Sequence, residues 1–271
     1  MAKFQCDFLS RALLRNVTFN VILPVDKLPV PGQPQTDHRP FKTLYLLHGF
    51  FGNCNDWLHG TNIERWAQER NICVVMPSGD NHFYVDNPKS NQMYGYFISK
   101  ELVEITRKAF PLSEHREDTW IGGLSMGGYG AIINALQHPE VFGAVCALSS
   151  ALLVDQIPSI SEYTHIPMTN RGYFESVFGE LDQLIGSDKD YNSLAKKIAQ
   201  SEEKPRFYIA CGTEDSLLLP NQNFFRHIQS LGFDVTYEEG PGNHEWDFWN
   251  KYILRALDWL TTNNADIPAH S

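Results

Sequence analysis

No stretch of roughly 18 or more consecutive apolar residues occurs in the chain, so the sequence offers no membrane-spanning helix. Positive charge is scarce. Lys and Arg number 22 against 32 Asp and Glu, a formal net charge of −10. Binding by neutralised phosphates calls for the opposite excess, so neither nucleic acid nor an anionic membrane surface is an expected partner. Cysteine is sparse: the five residues Cys6, Cys54, Cys73, Cys146 and Cys211 are scattered and form no CxxC pair, which argues against a thiolate zinc site. Three of them, Cys73, Cys146 and Cys211, lie in apolar strand-like runs and read as small buried thiols. HExxH and EF-hand patterns are also lacking, so no metal or other cofactor is expected. The first residues, MAKFQCDFLSRALLRN, contain no continuous apolar run, because Gln5, Asp7, Ser10 and Arg11 interrupt it. They do not read as a secretion signal, and the expected location is cytoplasmic.

What is present is an ordinary globular composition, 42% hydrophobic and 20% charged over 271 residues, which supplies a full core and excludes a disordered chain. Repeats and low-complexity tracts are missing. A Pro-dense stretch over 28–40 reads as an exposed loop after an N-terminal β-hairpin region. Beyond it, short β-branched runs over 43–47, 72–76, 119–121, 143–148, 207–211 and 235–238 predict strands. Between and after them, 62–70, 97–110, 127–137, 221–231 and 246–261 predict helices. That alternation predicts an α/β fold, a mainly parallel central sheet with helices on both faces, in one domain spanning 1–271. The interval 151–204 is too long for a plain crossover and is expected to form a small helical, cap-like insertion roofing the site.

The most informative segment is WIGGLSMGGYGA, 120–131. A strand, then Gly123-Leu124-Ser125-Met126-Gly127, then a helix, is the GxSxG elbow in the context it requires. Such a turn presents a serine hydroxyl at the helix N-terminus, where developing negative charge is favoured. Walker A is excluded because no Lys follows the glycines, and the GxGxxG spacing does not fit; a turn without chemistry stays open on this segment alone.

A serine needs a base and an acid to hold that base, in the chain order Ser, Asp or Glu, His on this kind of fold. Asp215 in CGTEDS follows the strand-like FYIAC, and His244 in GPGNHEW follows VTYE. Both fall at the strand edge expected to carry Ser125. Glu214 is the alternative acid. Of the other histidines, His38, His115, His138 and His270 read as surface residues and His227 as a helix residue. His82 and His165 are candidates for the pocket wall without a motif for a base. After the first core strand, Leu47-His48-Gly49-Phe50 places an HG pair where a loop can turn over the nucleophile. The backbone N–H groups of Phe50 and Met126 are the expected oxyanion donors, and His48 is expected to orient the loop. Phe50, Phe51, Trp57, Phe83, Tyr84 and Tyr96 form a candidate aromatic rim, with Phe51, Trp57 and Tyr96 the candidate substrate contacts.

Taken together, LHGFFGN with Trp57, GGLSMGGYGA, CGTED and GNHEWDFW resemble the esterase D-like branch of the α/β-hydrolases, nearest to bacterial tributyrin and acetyl esterases. The likeness runs from about Cys6 to Leu260 and includes NRGYFESVFGE in the insertion. It implies the triad Ser125, Asp215 and His244 with donors at Phe50 and Met126, in agreement with the residue-level reading. The activity expected is hydrolysis of a small, short-chain acyl ester, acetyl to butyryl, through an acyl-enzyme. Related members are S-formylglutathione hydrolases and feruloyl esterases, which remain the alternatives. Tyr129 stands where the former usually carry His, which disfavours that activity. The resemblance also admits a homo-oligomer, dimer or tetramer. A catalytically dead hydrolase fold serving as a binding module is the rival of another class.

Overall fold

The computed structural model describes residues 1–27, 40–162, 164 and 169–262. The expected loop over 28–40 lies almost wholly outside them, as do His38, His165 and His270. Eight strands form one sheet in the order β1-β2-β4-β3-β7-β8-β9-β10. These are β1 Ala2–Ser10, β2 Arg15–Leu23, β3 Thr43–Leu47, β4 Cys73–Pro77, β7 Thr119–Leu124, β8 Ala144–Leu148, β9 Arg206–Gly212 and β10 Val235–Gly240. The hairpin β1–β2 and the β2–β4 pair are antiparallel, and every pairing from β4 to β10 is parallel. A two-residue hairpin, β5 Asp86–Asn87 and β6 Gln92–Met93, forms a separate small sheet.

The sequence TLYLL is buried at all five positions because β3 is covered on both faces. Successive residues point to opposite sides of a strand, so Tyr45 and Leu47 enter one apolar cluster while Leu44 and Leu46 enter the other. Helices α2 Ile63–Arg70 and α9 Trp246–Thr261 cover the second face. In α9, Phe248, Trp249, Tyr252, Ile253, Ala256, Leu257 and Leu260 make the inward stripe, each large side chain contributing about 1.5–3 kcal/mol of burial. The first face carries α4 Leu102–Ala109, α5 Met126–Gln137 and α8 Leu218–Ser230.

The expected helices therefore form, with shifted starts that have local causes. The helix expected from 97 begins as α3 at Tyr94 and continues through a π-helical stretch, Phe97–Glu101, into α4. Asp86 Oδ1 accepts the Tyr96 N–H at 3.0 Å and so satisfies an N-terminal donor. Helix α8 begins at Leu218 rather than 221, with Pro220 in its first turn, where the missing N–H costs nothing. A short helix α1, Asp56–Gly60, has too few residues for periodicity to reveal.

The interval between β8 and β9 contains α6 Arg171–Phe178 and α7 Tyr191–Ile198. Asn170 and Asp190 cap them, accepting the N–H groups of Tyr173 at 2.8 Å and Asn192 at 2.9 Å. Their inward residues, Phe174, Val177, Phe178, Tyr191 and Leu194, join the same cluster as α5. Tyr129 on α5 donates to the Lys189 carbonyl at 2.7 Å, fastening the segment down.

Strand β3 is flanked by β4, which follows it, and by β7, reached by crossing back over it. Loops leaving the carboxyl ends of β3 and β7 therefore diverge, and that crevice is where open α/β sheets place their ligands.

Candidate active site

Ser125 stands between β7 and α5 at φ +52°, a conformation that side-chain-bearing residues rarely hold. The flanking glycines are required by contact. A Cβ on Gly123 would lie 2.5 Å from Gly127 backbone atoms, and one on Gly127 would lie 2.5 Å from the Leu47 carbonyl oxygen. Ser125 makes no capping bond to its own helix, so its hydroxyl stays available. That hydroxyl lies 3.0 Å from His244 Nε2. The other ring nitrogen, Nδ1, lies 2.8 Å from Asp215 Oδ2. The order and loop placement expected from sequence thus bring the three side chains together.

Asp215 follows β9 and its side chain is fully buried. Burial alone would push its carboxyl up, but hydrogen bonds from His244 and the Leu217 N–H, with help from the Ser149 hydroxyl, outweigh it and hold the group below the usual carboxylate range. An ionised Asp215 can accept only, which fixes the proton on His244 Nδ1 and leaves Nε2 facing Ser125 as an acceptor. Glu214 takes a different task. Its Oε2 accepts the Gly242 N–H at 2.6 Å and braces the loop that carries His244.

His48 is 1% exposed and sits under the loop after β3. Its Nε2 accepts the Gly79 N–H at 2.8 Å. A backbone N–H can only donate, so Nδ1 carries the proton and donates to the Gly49 carbonyl at 2.7 Å. Burial lowers the pKa of His48 and keeps it neutral. It is an orienting residue, as its place in the sequence suggested. Tyr84 adds a bond from its hydroxyl to the His48 carbonyl at 2.9 Å. The loop so held passes close to the elbow, since a Cβ on Gly49 would come within 3.5 Å of Ser125 Cβ. Neither the Phe50 N–H nor the Met126 N–H donates to a backbone carbonyl outside α5 among the described residues.

The rim divides. Phe51 is 69% and Tyr96 49% exposed, although no hydrogen bond or ring contact joins Tyr96 to the triad among the described residues. Trp57 corrects the expectation that it touches substrate. It is 1% exposed, its indole N–H donates to the Leu47 carbonyl at 2.9 Å, and its ring packs edge-on against Trp246. An indole that finds both an acceptor and a ring partner in the second core cluster has no face left for a ligand. Phe83 and Tyr84 are likewise buried. His82 stacks on Tyr94 at 4.8 Å beside the Arg15–Asp80 ion pair. Sequence reasoning missed Tyr173, whose ring meets Phe50 at 5.6 Å, and Asn81, which accepts the Phe51 N–H at 2.8 Å. Tyr173 lies in NRGYFESVFGE, which gave it no role in the sequence reading, and Asn81 lies in no motif.

No group of three or more His, Cys, Asp or Glu among the described residues is placed to hold a metal ion. No helix among them is long and apolar enough to cross a membrane.

Fold and site define the class, a serine hydrolase on the α/β-hydrolase fold. Fluorophosphonate-binding serine hydrolase F of Staphylococcus aureus, in a substrate-bound structure, is 29% identical with a TM-score of 0.83, covering 97% of this chain and 99% of its own. An S-formylglutathione hydrolase from the same organism is 29% identical with a TM-score of 0.81, over 96% and 99% of the two chains. An acetyl esterase of Caldicellulosiruptor saccharolyticus is 44% identical over 96% of this chain and 98% of its own. The chain belongs to the esterase family, whose model, described as "Putative esterase", matches residues 10–260. It is a serine-dependent carboxylic ester hydrolase.

Proposed function

We propose that the protein hydrolyses short-chain acyl esters, acetyl to butyryl, through an acyl intermediate on Ser125. The observation that carries this reading is the continuous hydrogen-bonded relay from Ser125 Oγ through His244 to Asp215, at 3.0 and 2.8 Å. His244 Nε2 takes the hydroxyl proton as Oγ attacks the ester carbonyl. The developing oxyanion is met by the Phe50 and Met126 N–H groups, donors of a kind typically worth about 10²–10³ in rate each. The imidazolium then protonates the leaving alcohol. Water, activated by the same histidine, releases the acid and restores Ser125. Asp215 holds the tautomer and stabilises the charged ring. The short acyl preference is supported by the likeness to the acetyl esterase.

A thioester reading on the same triad is favoured by the likeness to the S-formylglutathione hydrolase. Against it, Tyr129 is 1% exposed and its hydroxyl is taken up by Lys189. Ser125→Ala is expected to lower p-nitrophenyl acetate turnover by about 10⁴-fold or more with an unfolding midpoint near wild type. A folded, active variant would remove Ser125 from its role. Substrate choice is tested by relative kcat/KM on p-nitrophenyl acetate, butyrate and octanoate, methyl ferulate and S-formylglutathione. Preference for octanoate, the cinnamoyl ester or the thioester would overturn the short-chain assignment.

A further inference from the structure

His244 stands on the loop between β10 and α9, and 34% of its side chain is exposed. Asp215 holds one corner of the imidazole, Nδ1, at 2.8 Å, and Ser125 holds another, Nε2, at 3.0 Å. The second of these bonds is temporary. Once Oγ carries an acyl group it has no proton to donate, and the ring keeps one hydrogen-bonded corner about which it can pivot. Deacylation makes its demand at that moment. A water loses a proton to Nε2 as its oxygen adds to the acyl carbonyl, and Nε2 returns that proton to Oγ as the Ser125 C–O bond breaks.

The other restraint on the ring comes from Trp249, at the end of the first turn of α9. Its indole stands perpendicular to the imidazole, with 4.9 Å between centroids and 90° between planes. Trp249 is itself backed by a row of rings. It meets Trp246 at 5.2 Å and 90°, and Trp246 meets Trp57 at 5.6 Å and 89°. Gly60 lies so close to Trp246 that a Cβ there would come within 2.2 Å of the indole. Trp57 in turn donates to the Leu47 carbonyl at the end of β3. Trp249 is buried, and its N–H has no acceptor among the described residues. An unpaired buried donor is costly, and phenylalanine or leucine would fill a core position without one, so core packing alone does not call for an indole here.

We propose that Trp249 is a positioning residue for deacylation, a stop against which the His244 ring keeps Nε2 aimed at the attacking water while Ser125 is acylated. This rests on the proposed function above. Trp249 need touch no substrate atom. It acts through His244 alone, and a base misplaced by about 1 Å loses up to about 10²-fold in rate. During acylation the Ser125 hydroxyl does part of the same work, so loss of the indole weighs on the second step more than on the first.

The test is rapid-quench hydrolysis of p-nitrophenyl acetate, with nitrophenol release read optically and acetyl-enzyme read by intact mass, which together give the two rates separately. Trp249→Leu is expected to slow deacylation about tenfold or more and acylation less than about threefold, within the 10²–10⁴ or so that a general base contributes. Acetyl-enzyme then accumulates, so KM falls along with kcat, while kcat/KM, which reports acylation, stays within about threefold. Trp249→Phe, which puts a ring back, should recover at least about threefold of the lost deacylation rate. A wild-type deacylation rate in a folded Trp249→Leu protein would overturn the proposal. So would an equal loss in both steps, or no recovery with Trp249→Phe. Should Trp249→Leu fail to fold, Trp249→Met decides by the same criteria. A Ser125→Ala variant that still turned over would remove the proposed function as a whole. An inert one beside a Trp249→Leu protein with wild-type deacylation would remove only the role of Trp249.

Discussion

Among single residues, Asp215 makes two separable statements. Its carboxylate is buried, accepts from His244 and from the Leu217 N–H, and is held below its ordinary pKa. A group whose pKa is depressed by folding stabilises the native state above the unfolded pKa, about 3.9 for Asp, and loses that contribution as pH falls through the folded value. Asp215→Asn removes the titration. Denaturant unfolding of wild type and variant between pH 3 and 7 should therefore show a stability gap that is constant above about pH 5 and changes, against the wild type, below about pH 4. A gap independent of pH over that range would mean that the carboxyl is not depressed. Turnover is a different matter: with the wrong tautomer on His244, kcat should fall about 10⁴-fold at neutral pH. The place of this aspartate beside His244 was legible in the sequence because it follows a strand and precedes the histidine, and the structure puts Asp215, not Glu214, at the ring nitrogen. Asn81 was not legible. A polar loop residue carries no period, and its partner Phe51 lies 30 positions away.

Elements show why the sheet and helices could be read more surely than their loops. Continuous apolar runs such as TLYLL must be strands covered on both faces, and α9 was placed to the residue because its stripe is long. Trp57 was misplaced for the opposite reason. An aromatic just beyond a catalytic loop can face the ligand or the core, and only the Leu47 carbonyl and the Trp246 ring decide. Glycines raise the same difficulty, since sequence alone does not say which are forced. Gly127 lies on α5 where any Cβ would strike the Leu47 and His48 carbonyl oxygens at 2.5 and 2.6 Å, both backbone atoms that cannot swing aside. Gly172 lies in the first turn of α6 with only Asn170 Oδ1 near, at 3.7 Å. The same substitution should act with opposite sign at the two positions. Gly127→Ala is expected to cost about 2–3 kcal/mol by overpacking and to depress kcat by displacing the elbow. Gly172→Ala is expected to be neutral or to stabilise by up to about 1 kcal/mol through helix propensity. Chemical denaturation of the pair checks both, and a stable, fully active Gly127→Ala would contradict the close approach of α5 to β3.

At the scale of the whole molecule, the five cysteines report how the fold protects itself, because they are all free thiols and four of them are buried, Cys6 alone being half-covered. Cys73, Cys146 and Cys211 lie in β4, β8 and β9 with no exposed surface. Burial pushes the Cys211 thiol up to about 12 and raises Cys73 and Cys146 further still. A thiol reagent needs both access and thiolate, so a central strand should react only when the sheet opens. Cys6 is on the edge strand β1, and its pKa is raised by partial burial and by the neighbouring Asp7 carboxylate. Under native conditions a maleimide should therefore label Cys6 alone, faster as pH rises, and label all five in denaturant. Because β1 pairs only with β2 and lies six strands from β9 in the sheet, that first label should leave ester hydrolysis unchanged. Cys211 is the discriminating site: it is the last residue but one of β9, four residues before Asp215, and its sulfur lies 4.0 Å from the Ser149 hydroxyl. Its labelling rate, measured by peptide mapping against denaturant concentration, should track global unfolding as Cys146 does. If Cys211 instead reacted well ahead of Cys146 in the native protein, the carboxyl edge of β9 would be opening by itself, and a firmly held Asp215 would have to be abandoned.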